Sequence, residues 1–483
     1  MSAPLTIRNL TAIPLELKVV ERFAVPELFQ PTGFANITHN LTSLVSNVTG
    51  NTTDQKAVLL PSRPLAENAQ SFAREDVNIQ IAPFSKQETG INTNEKGPGE
   101  ILRLTIECEG QQYRIDTPTP SHDSQELVPL GGGSDKRFTG VYLPNISFLA
   151  IYSSSDLHCW MKYLHDNTPL NAISIPGTHN SPTHHKALPS VRCQAVSPRE
   201  QLENGVRFFD IRVQPESPDN LQNDTLILVH GVFPISLTGP KHFRKLLNEI
   251  QSFLSANPSE TLIMSIKREG TGPATDQHLS RLLAEHYTSN PSQWWTSPSV
   301  PSLGQARGKI VLLRRFAIDD SLSSLNDGKG YAIDAQNWAY NTPCDNHGAV
   351  CVQDFCEVLE TVNIDDKIRY CCEHFERAGA SVCAVPKDGE VLAQDVPQGP
   401  LFLNFLSASN FWRVGCWPEK IAAKLNPAVV EHLCARHDVG GGAEGKGDGG
   451  VGIVVCDWVG WNGDWDLVRC IVGMNARLMM LES

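Results

Sequence analysis

Residues 206–213 read Val-Arg-Phe-Phe-Asp-Ile-Arg-Val, a short apolar run whose last half carries Asp210 and Arg212 two residues apart. Runs of the same kind recur at 171–179 (NAISIPGTH), 226–231 (LILVHG), 262–269 (LIMSIKRE), 309–316 (KIVLLRRF), 401–409 (LFLNFLSAS) and 452–459 (GIVVCDWV), and 330–338 (GYAIDAQNW) supplies an eighth. Between them lie stretches of helical period: 241–257 (KHFRKLLNEIQSFLSAN), 278–287 (HLSRLLAEHY), 367–379 (KIRYCCEHFERAG) and 419–425 (EKIAAKL). Near-continuous apolar strands alternating with helices predict a parallel sheet covered by helices. About eight such units predict an α/β fold, a TIM-like (β/α) barrel of irregular build over 155–483.

In such a barrel the chemistry sits at the carboxyl ends of the strands. Those ends collect His179 and Asn180, Asp210 and Arg212, His230, Lys267 and Glu269, Arg314 and Arg315, and Asp457. One histidine at a strand end is commonly structural, but packing alone does not explain two histidines, an arginine and two aspartates on neighbouring ends. Buried unpaired, such charges would cost several kcal/mol each. The set suits phosphoryl transfer. One imidazole can take a hydroxyl proton and another can give one to the leaving oxygen near neutral pH. A guanidinium can hold the charge that builds on the phosphoryl oxygens.

The stretches GTHNS (177–181), FFDIR (208–212), LVHG (228–231), NPSETLIMSIKRE (257–269), ARGKIVLLRRF (306–316) and VVCDWV (454–459) resemble the X domain of phosphatidylinositol-specific phospholipase C, in its bacterial single-barrel branch. The resemblance covers 155–483 and leaves out 1–150. It implies a phosphoric diester lyase that converts phosphatidylinositol-type lipids to diacylglycerol and a cyclic inositol phosphate. It further implies His179 as general base backed by Asp457, His230 as general acid, and Arg212 with Asp210 as the phosphate clamp. Lys267, Arg315 and Asp354 match positions that hold the inositol ring; an ion pair in the barrel mouth is the plainer account of the first two. Two departures stand out. Asn180 replaces an aspartate that orients the general acid, so an amide there would weaken leaving-group protonation. Cys356 stands where a ring-stacking tyrosine belongs. Asparagine at 180 is the choice of the calcium-dependent relatives, yet Arg212 puts a fixed positive charge where their metal sits, so no cofactor is expected and Ca²⁺ is the lesser alternative.

The first 150 residues have another rhythm. Ile13, Leu15, Leu17 and Val19 alternate with polar neighbours, as do Val77, Ile79 and Ile81, and then Leu102, Leu104, Ile106 and Cys108. Glu109-Gly110 turns the chain back through Tyr113 and Ile115. Period two over several segments predicts an all-β, sandwich-like domain over 1–150, of a role the sequence does not name. Residues 36–56 and the run Gly131-Gly132-Gly133-Ser134 read as loop or linker, and the glycine-rich 440–452 as a surface insert.

Composition narrows the partners. A net charge of −13 argues against nucleic acid and against adhesion to an anionic bilayer by charge alone. No apolar run reaches the ~18–20 residues of a membrane span, and the start MSAPLTIRNL lacks the features of a secretory signal. The reading is cytoplasmic, with peripheral contact to a phosphoinositide-bearing membrane. Trp412 and Trp417 follow one strand, and Trp461 and Trp465 follow the last, all on the active-site side. The first three are the candidate membrane interface. Thirteen cysteines, none in a zinc-like CxxC pair, read as mostly structural thiols. Two rival functions are weighed: another phosphodiesterase of this barrel type acting on glycerophosphodiesters or lysolipids, which needs a metal and acidic ligands, and a weakly active lipid-binding scaffold.

Overall fold

A computed structural model describes residues 4–24, 28–29, 60–61, 64–66, 68–93, 100–119, 123–131, 135–381, 399–438 and 449–480. The loop 36–56, residues 132–134 and most of the glycine-rich 440–452 therefore lie outside the described residues. The chain divides into two compact units, Met1–Ser155 with Pro427–Val439, and Asp156–Asn426 with Gly440–Ser483.

In the first unit two five-stranded sheets form. One runs in the order Lys86–Asn92, Pro4–Asn9, Phe148–Ser153, Phe138–Leu143, Ser124–Glu126; the other in the order Val128–Leu130, Gln111–Thr117, Glu100–Cys108, Leu15–Ala24, Ala73–Ile81. Leu5, Ile7 and Leu149 of one sheet share a core with Leu17, Leu104 and Ile115 of the other. Strict alternation fails in one place. The register slips between Leu17 and Val19 against both neighbouring strands, so Val20 rather than Val19 turns inward. A bulge of one residue does this by shifting every later side chain to the other face. Glu109 and Gly110 adopt φ of 49° and 80°, the left-handed pair that a tight hairpin requires.

In the second unit the apolar runs pair mostly in parallel. The hydrogen-bonded order is Trp294–Trp295, Ile310–Arg315, Leu262–Arg268, Phe208–Pro215, Ile175–Thr178, Ile453–Cys456, Leu401–Phe405, Val350–Asp354, with the antiparallel Thr342–His347 at the far end and Ile333–Asp334 beside Ile310–Arg315. The helices Phe243–Ala256 and Asp276–His286 bury Leu246, Ile250, Leu279 and Leu283 with the strand residues Phe209, Ile211, Met264 and Leu312. The unit is mixed α/β, and its central parallel strands Ile175–Thr178, Ile453–Cys456 and Leu401–Phe405 are buried throughout, as a sheet lined by helices demands.

One expectation needs correction. The run 226–231 does not join the parallel series: Leu226–His230 pairs antiparallel with Phe208–Pro215, as the return arm of a hairpin. Period and composition identify an apolar strand but are silent on its direction, which the pairing partner decides. Asp354 ends the parallel strand Val350–Asp354, and Cys344 and Cys351 lie on the two arms of the hairpin Thr342–His347 and Val350–Asp354.

Candidate active site

Register builds the cation row of the site. Arg212 stands opposite Lys267 and Lys267 opposite Arg315, so three strands place three positive side chains at one level. Two carboxylates hold them there. Asp210 is fully buried and its Oδ2 accepts from Arg212 Nε (3.3 Å) and Nη2 (3.1 Å) and from the backbone N–H of Asn180 (3.2 Å), while Arg315 Nη1 lies 3.6 Å from its Oδ1. Burial opposes the charge, but Arg212 and Arg315 outweigh it and hold the Asp210 carboxyl well below the usual range. Glu269 bridges the other side, accepting from Arg212 Nη1 (2.8 Å), Lys267 Nζ (2.9 Å) and the N–H of Gly231 (2.7 Å). It too is pulled down, to about 2, against its burial, chiefly by Arg212 and Lys267. Arg212 is desolvated yet driven above its ordinary value by these two anions. It is charged at every accessible pH and held in a fixed plane.

The histidines approach from two directions. His179 follows the strand Ile175–Thr178, and its ring meets that of His230 edge-on, with centroids 5.7 Å apart. His179 Nδ1 pairs with Asp457 Oδ1 at 3.0 Å, and Gln194 Nε2 ties the His179 and Cys456 carbonyls at 2.6 and 3.0 Å. Asp457 is buried, which raises its carboxyl despite the opposing pull of His179. His230 has no carboxylate behind it. Its Nδ1 meets the Val191 carbonyl at 3.0 Å and the Cys193 thiol at 3.8 Å. Either contact on Nδ1 leaves the distal Nε2 of each ring for the substrate. Burial, helped by Arg212 and His179, lowers His230 to about 4.

Asn180 overturns one expectation. Its Nδ2 lies 3.4 Å from His179 Nε2, not against His230, whose Nδ1 meets the Val191 carbonyl instead. Asn180 sits at φ 43°, a left-handed turn that asparagine tolerates, and its buried Oδ1 meets no hydrogen-bond partner among the described residues.

The far wall is aromatic. The Arg315 guanidinium stacks 3.8 Å from the centre of the Trp338 ring, and Trp338 Nε1 donates to Asp354 Oδ2 at 3.0 Å. Gln194, Trp338 and the Val191 carbonyl are the site groups that motif reading passes over. Glu269, two residues after Lys267, is visible at its strand end. At the rim Trp412 is 86% exposed and Trp461 36%. Trp417 is half-buried and spends its indole N–H on the Phe411 carbonyl (3.1 Å), so it props the loop that presents Trp412 rather than facing solvent. Trp465 is buried.

Among the described residues, clusters of metal-capable side chains lie in and near the site. His179, Cys193 and His230 bring ligand atoms within 4.8 Å of one another, but both Nδ1 atoms are engaged and Arg212 stands beside them. The two carboxylates a hard cation would need, Asp210 and Glu269, are spent on arginine and lysine. Cys344, Cys351 and His374 form a second group, where Arg377 Nη1 donates to His374 Nδ1 (2.6 Å) and so leaves the proton, not the lone pair, on Nε2.

Two histidines, a doubly anchored arginine and a buried aspartate thus meet at strand ends of the α/β unit. Residues 166–316 match the family described as phosphatidylinositol-specific phospholipase C, X domain. The 1-phosphatidylinositol phosphodiesterase of Listeria monocytogenes is 35% identical over 164 residues, 32% of this chain and 47% of that protein; the chain spans about half the length of that relative. The protein of the same name from Staphylococcus aureus strain Newman is 25% identical over 330 residues, 65% of this chain and 93% of its own. A solved structure of S. aureus phosphatidylinositol-specific phospholipase C carrying pentafluoro-Phe superposes with a TM-score of 0.50 at 24% identity, covering 66% of this chain and 97% of that one, a likeness of fold.

Proposed function

We propose that this chain is a phosphatidylinositol-specific phospholipase C that works without a metal. The observation that carries the reading is the pair His179 and His230, 5.7 Å between ring centres beside an arginine anchored by two carboxylates. His179 Nε2 takes the proton of the inositol 2-hydroxyl, and Asp457 at Nδ1 stabilises the imidazolium that forms. The freed oxygen attacks phosphorus and closes a five-membered cyclic phosphate. His230 Nε2–H gives its proton to the glycerol oxygen as the phosphorus–oxygen bond to diacylglycerol breaks. Arg212 faces the phosphoryl oxygens and neutralises their growing charge. His230 starts with a depressed affinity for its proton; an anionic phosphodiester beside it reverses the effect of Arg212 and raises it.

Asp354, Trp338, Arg315, Lys267 and Glu269 form the headgroup wall of this reading. Trp412, Val414, Leu359 and Val362, each 59% or more exposed, are the apolar rim that meets the bilayer as a peripheral surface. Among the described residues no helix is long and apolar enough to cross a membrane. The second unit is in this reading an irregular (β/α) barrel, and the first an all-β sandwich. The test is turnover of phosphatidylinositol vesicles with EDTA present, following the cyclic phosphodiester by ³¹P NMR. A cyclic product formed at undiminished rate in chelator supports the reading. Activity that needs Ca²⁺, or a non-cyclic first product, refutes it.

A further inference from the structure

The residue after Asp457 takes a backbone form that its side chain disfavours. Trp458 sits at φ 54°, the left-handed region that a bulky residue adopts only when its surroundings impose it. Its polar atom does not impose it: among the described residues the buried indole Nε1 has no hydrogen-bond partner. Two contacts with the segment 191–194 do. The backbone N–H of Trp458 donates to the Cys193 carbonyl at 2.9 Å, and the ring carries the Arg192 guanidinium on its face, 4.7 Å from the ring centre. On another side the ring meets Trp461, with centroids 5.5 Å apart.

That segment is the one that steadies His230. Val191 offers its carbonyl to His230 Nδ1 at 3.0 Å. Arg192 folds back over its own turn, donating from Nε to the Gln194 carbonyl (3.2 Å) and from Nη2 to the Ala195 carbonyl (3.3 Å), which sets the guanidinium plane where it meets the indole. Cys193 accepts from Trp458 at its carbonyl and donates its own N–H to Thr183 Oγ1 at 3.1 Å. Gln194 reaches to the His179 and Cys456 carbonyls at 2.6 and 3.0 Å. Consecutive residues thus meet His230, the Trp458 ring, the Trp458 backbone and the His179 turn, in that order.

We propose that Trp458 is a positioning residue for the general acid. With Arg192 stacked on it and Cys193 bonded to it, Trp458 fixes the segment 191–194 against the strand that runs into Asp457, and so holds the Val191 carbonyl where it orients His230. A carbonyl at Nδ1 decides which way the imidazole faces and which nitrogen is left for the leaving oxygen. Two successive residues then register the two rings, Asp457 for His179 and Trp458 for His230. Trp458 acts through His230 and contacts no substrate in this account. The inference rests on the reading of His230 as acid given above.

Glycine adopts a left-handed turn freely, so Trp458→Gly keeps the backbone and its bond to Cys193 while removing the shelf under Arg192. The full chain is assayed on two monomeric substrates, so that membrane binding plays no part: short-chain phosphatidylinositol, whose alkoxide must be protonated as it leaves, and inositol nitrophenyl phosphate, whose nitrophenolate needs no proton. Misplacing a catalytic group by an ångström costs on the order of 10²-fold, and a carbonyl loosened rather than removed should cost about tenfold. Trp458→Gly should therefore lose about tenfold in kcat on the lipid and stay within about threefold on the nitrophenyl substrate. Arg192→Ala should show the same selectivity, the double variant should lose no more than either alone, and Arg192→Lys, which keeps a cation over the ring, should recover part of the loss. By NMR the His230 Nδ1–H should exchange faster with water in Trp458→Gly, with that of His179 as in wild type. If Trp458→Gly fails to fold, Trp458→Phe, which leaves Arg192 a smaller face, should show a smaller loss of the same selectivity. Equal losses on the two substrates, or an unchanged His230 resonance, would make Trp458 a packing residue and overturn the inference. A His230→Ala enzyme that itself loses equally on both would overturn the acid reading; a selective His230→Ala beside an unselective Trp458→Gly would overturn this inference alone.

Discussion

Replacing Arg212 with lysine keeps the charge and removes the fork. In the native side chain Nε and Nη2 are spent on Asp210 and Nη1 on Glu269, so the guanidinium plane is set from both sides before substrate arrives. An ammonium has no plane and a shorter reach. It can satisfy one carboxylate at a time, and the phosphoryl oxygens lose at least one preset donor. Loss of one such donor costs roughly 3 kcal/mol of transition-state stabilisation, which is a fall of about 10²-fold in kcat. Folding should tolerate the change because Asp210 retains Arg315 and Glu269 retains Lys267. The assay is kcat on phosphatidylinositol vesicles in EDTA, with the melting curve as control. An Arg212→Lys enzyme within threefold of wild type, equally folded, would refute the clamp and leave charge alone as the requirement.

His179→Ala and His230→Ala should each lower kcat by ~10²–10⁴, and the His230 variant should recover much of its loss on a substrate whose leaving group needs no proton; equal losses on both substrates would contradict its role as acid. Followed by NMR, His230 should titrate near 4 in the free protein and shift upward when inositol phosphate is added, because the ligand's negative charge favours the imidazolium; a downward or absent shift would place the phosphate elsewhere. Asn180→Asp puts a carboxylate 3.4 Å from His179 Nε2, which should favour protonated His179 and move the acid limb of kcat/KM up by about one unit; an unmoved limb argues that the residue does not face the base. Trp412→Ala should weaken vesicle binding by about tenfold, the order expected for losing a buried aromatic, with hydrolysis of a monomeric short-chain substrate unchanged; loss on the monomeric substrate as well would place Trp412 in the headgroup pocket.

Strand positions and the chemistry at their ends are legible because both are local. An apolar run such as 262–269 must be buried, and the charged residues that close it must be satisfied somewhere. What local pattern cannot carry is pairing. The hairpin of Leu226–His230 looks like any other apolar run, since parallel and antiparallel arms share a period. Glu269 is visible beside Lys267, but its bond to Arg212 depends on the register between two strands. Trp338 and the Val191 carbonyl contribute through a ring face and a backbone oxygen, and neither leaves a motif. Asn180 shows the converse: its identity is plain, but the turn after Thr178 decides which histidine the amide meets. The bulge at Leu17–Val19 breaks an alternation that composition alone would extend.

The two histidines of the proposed catalysis are not equally anchored. His179 and Asp457 grow from adjacent buried strands, Ile175–Thr178 and Ile453–Cys456, paired in register. His230 ends a hairpin arm and is steadied by one carbonyl from the irregular segment around Val191. Segments held by few buried hydrogen bonds open at lower free energy than core strands. Mild denaturant should therefore silence turnover before the fold gives way, and the loss should be greatest for substrates that need their leaving oxygen protonated. An unchanged ratio of turnover to folded signal through the transition would show instead that the segment around Val191 and the strands give way together.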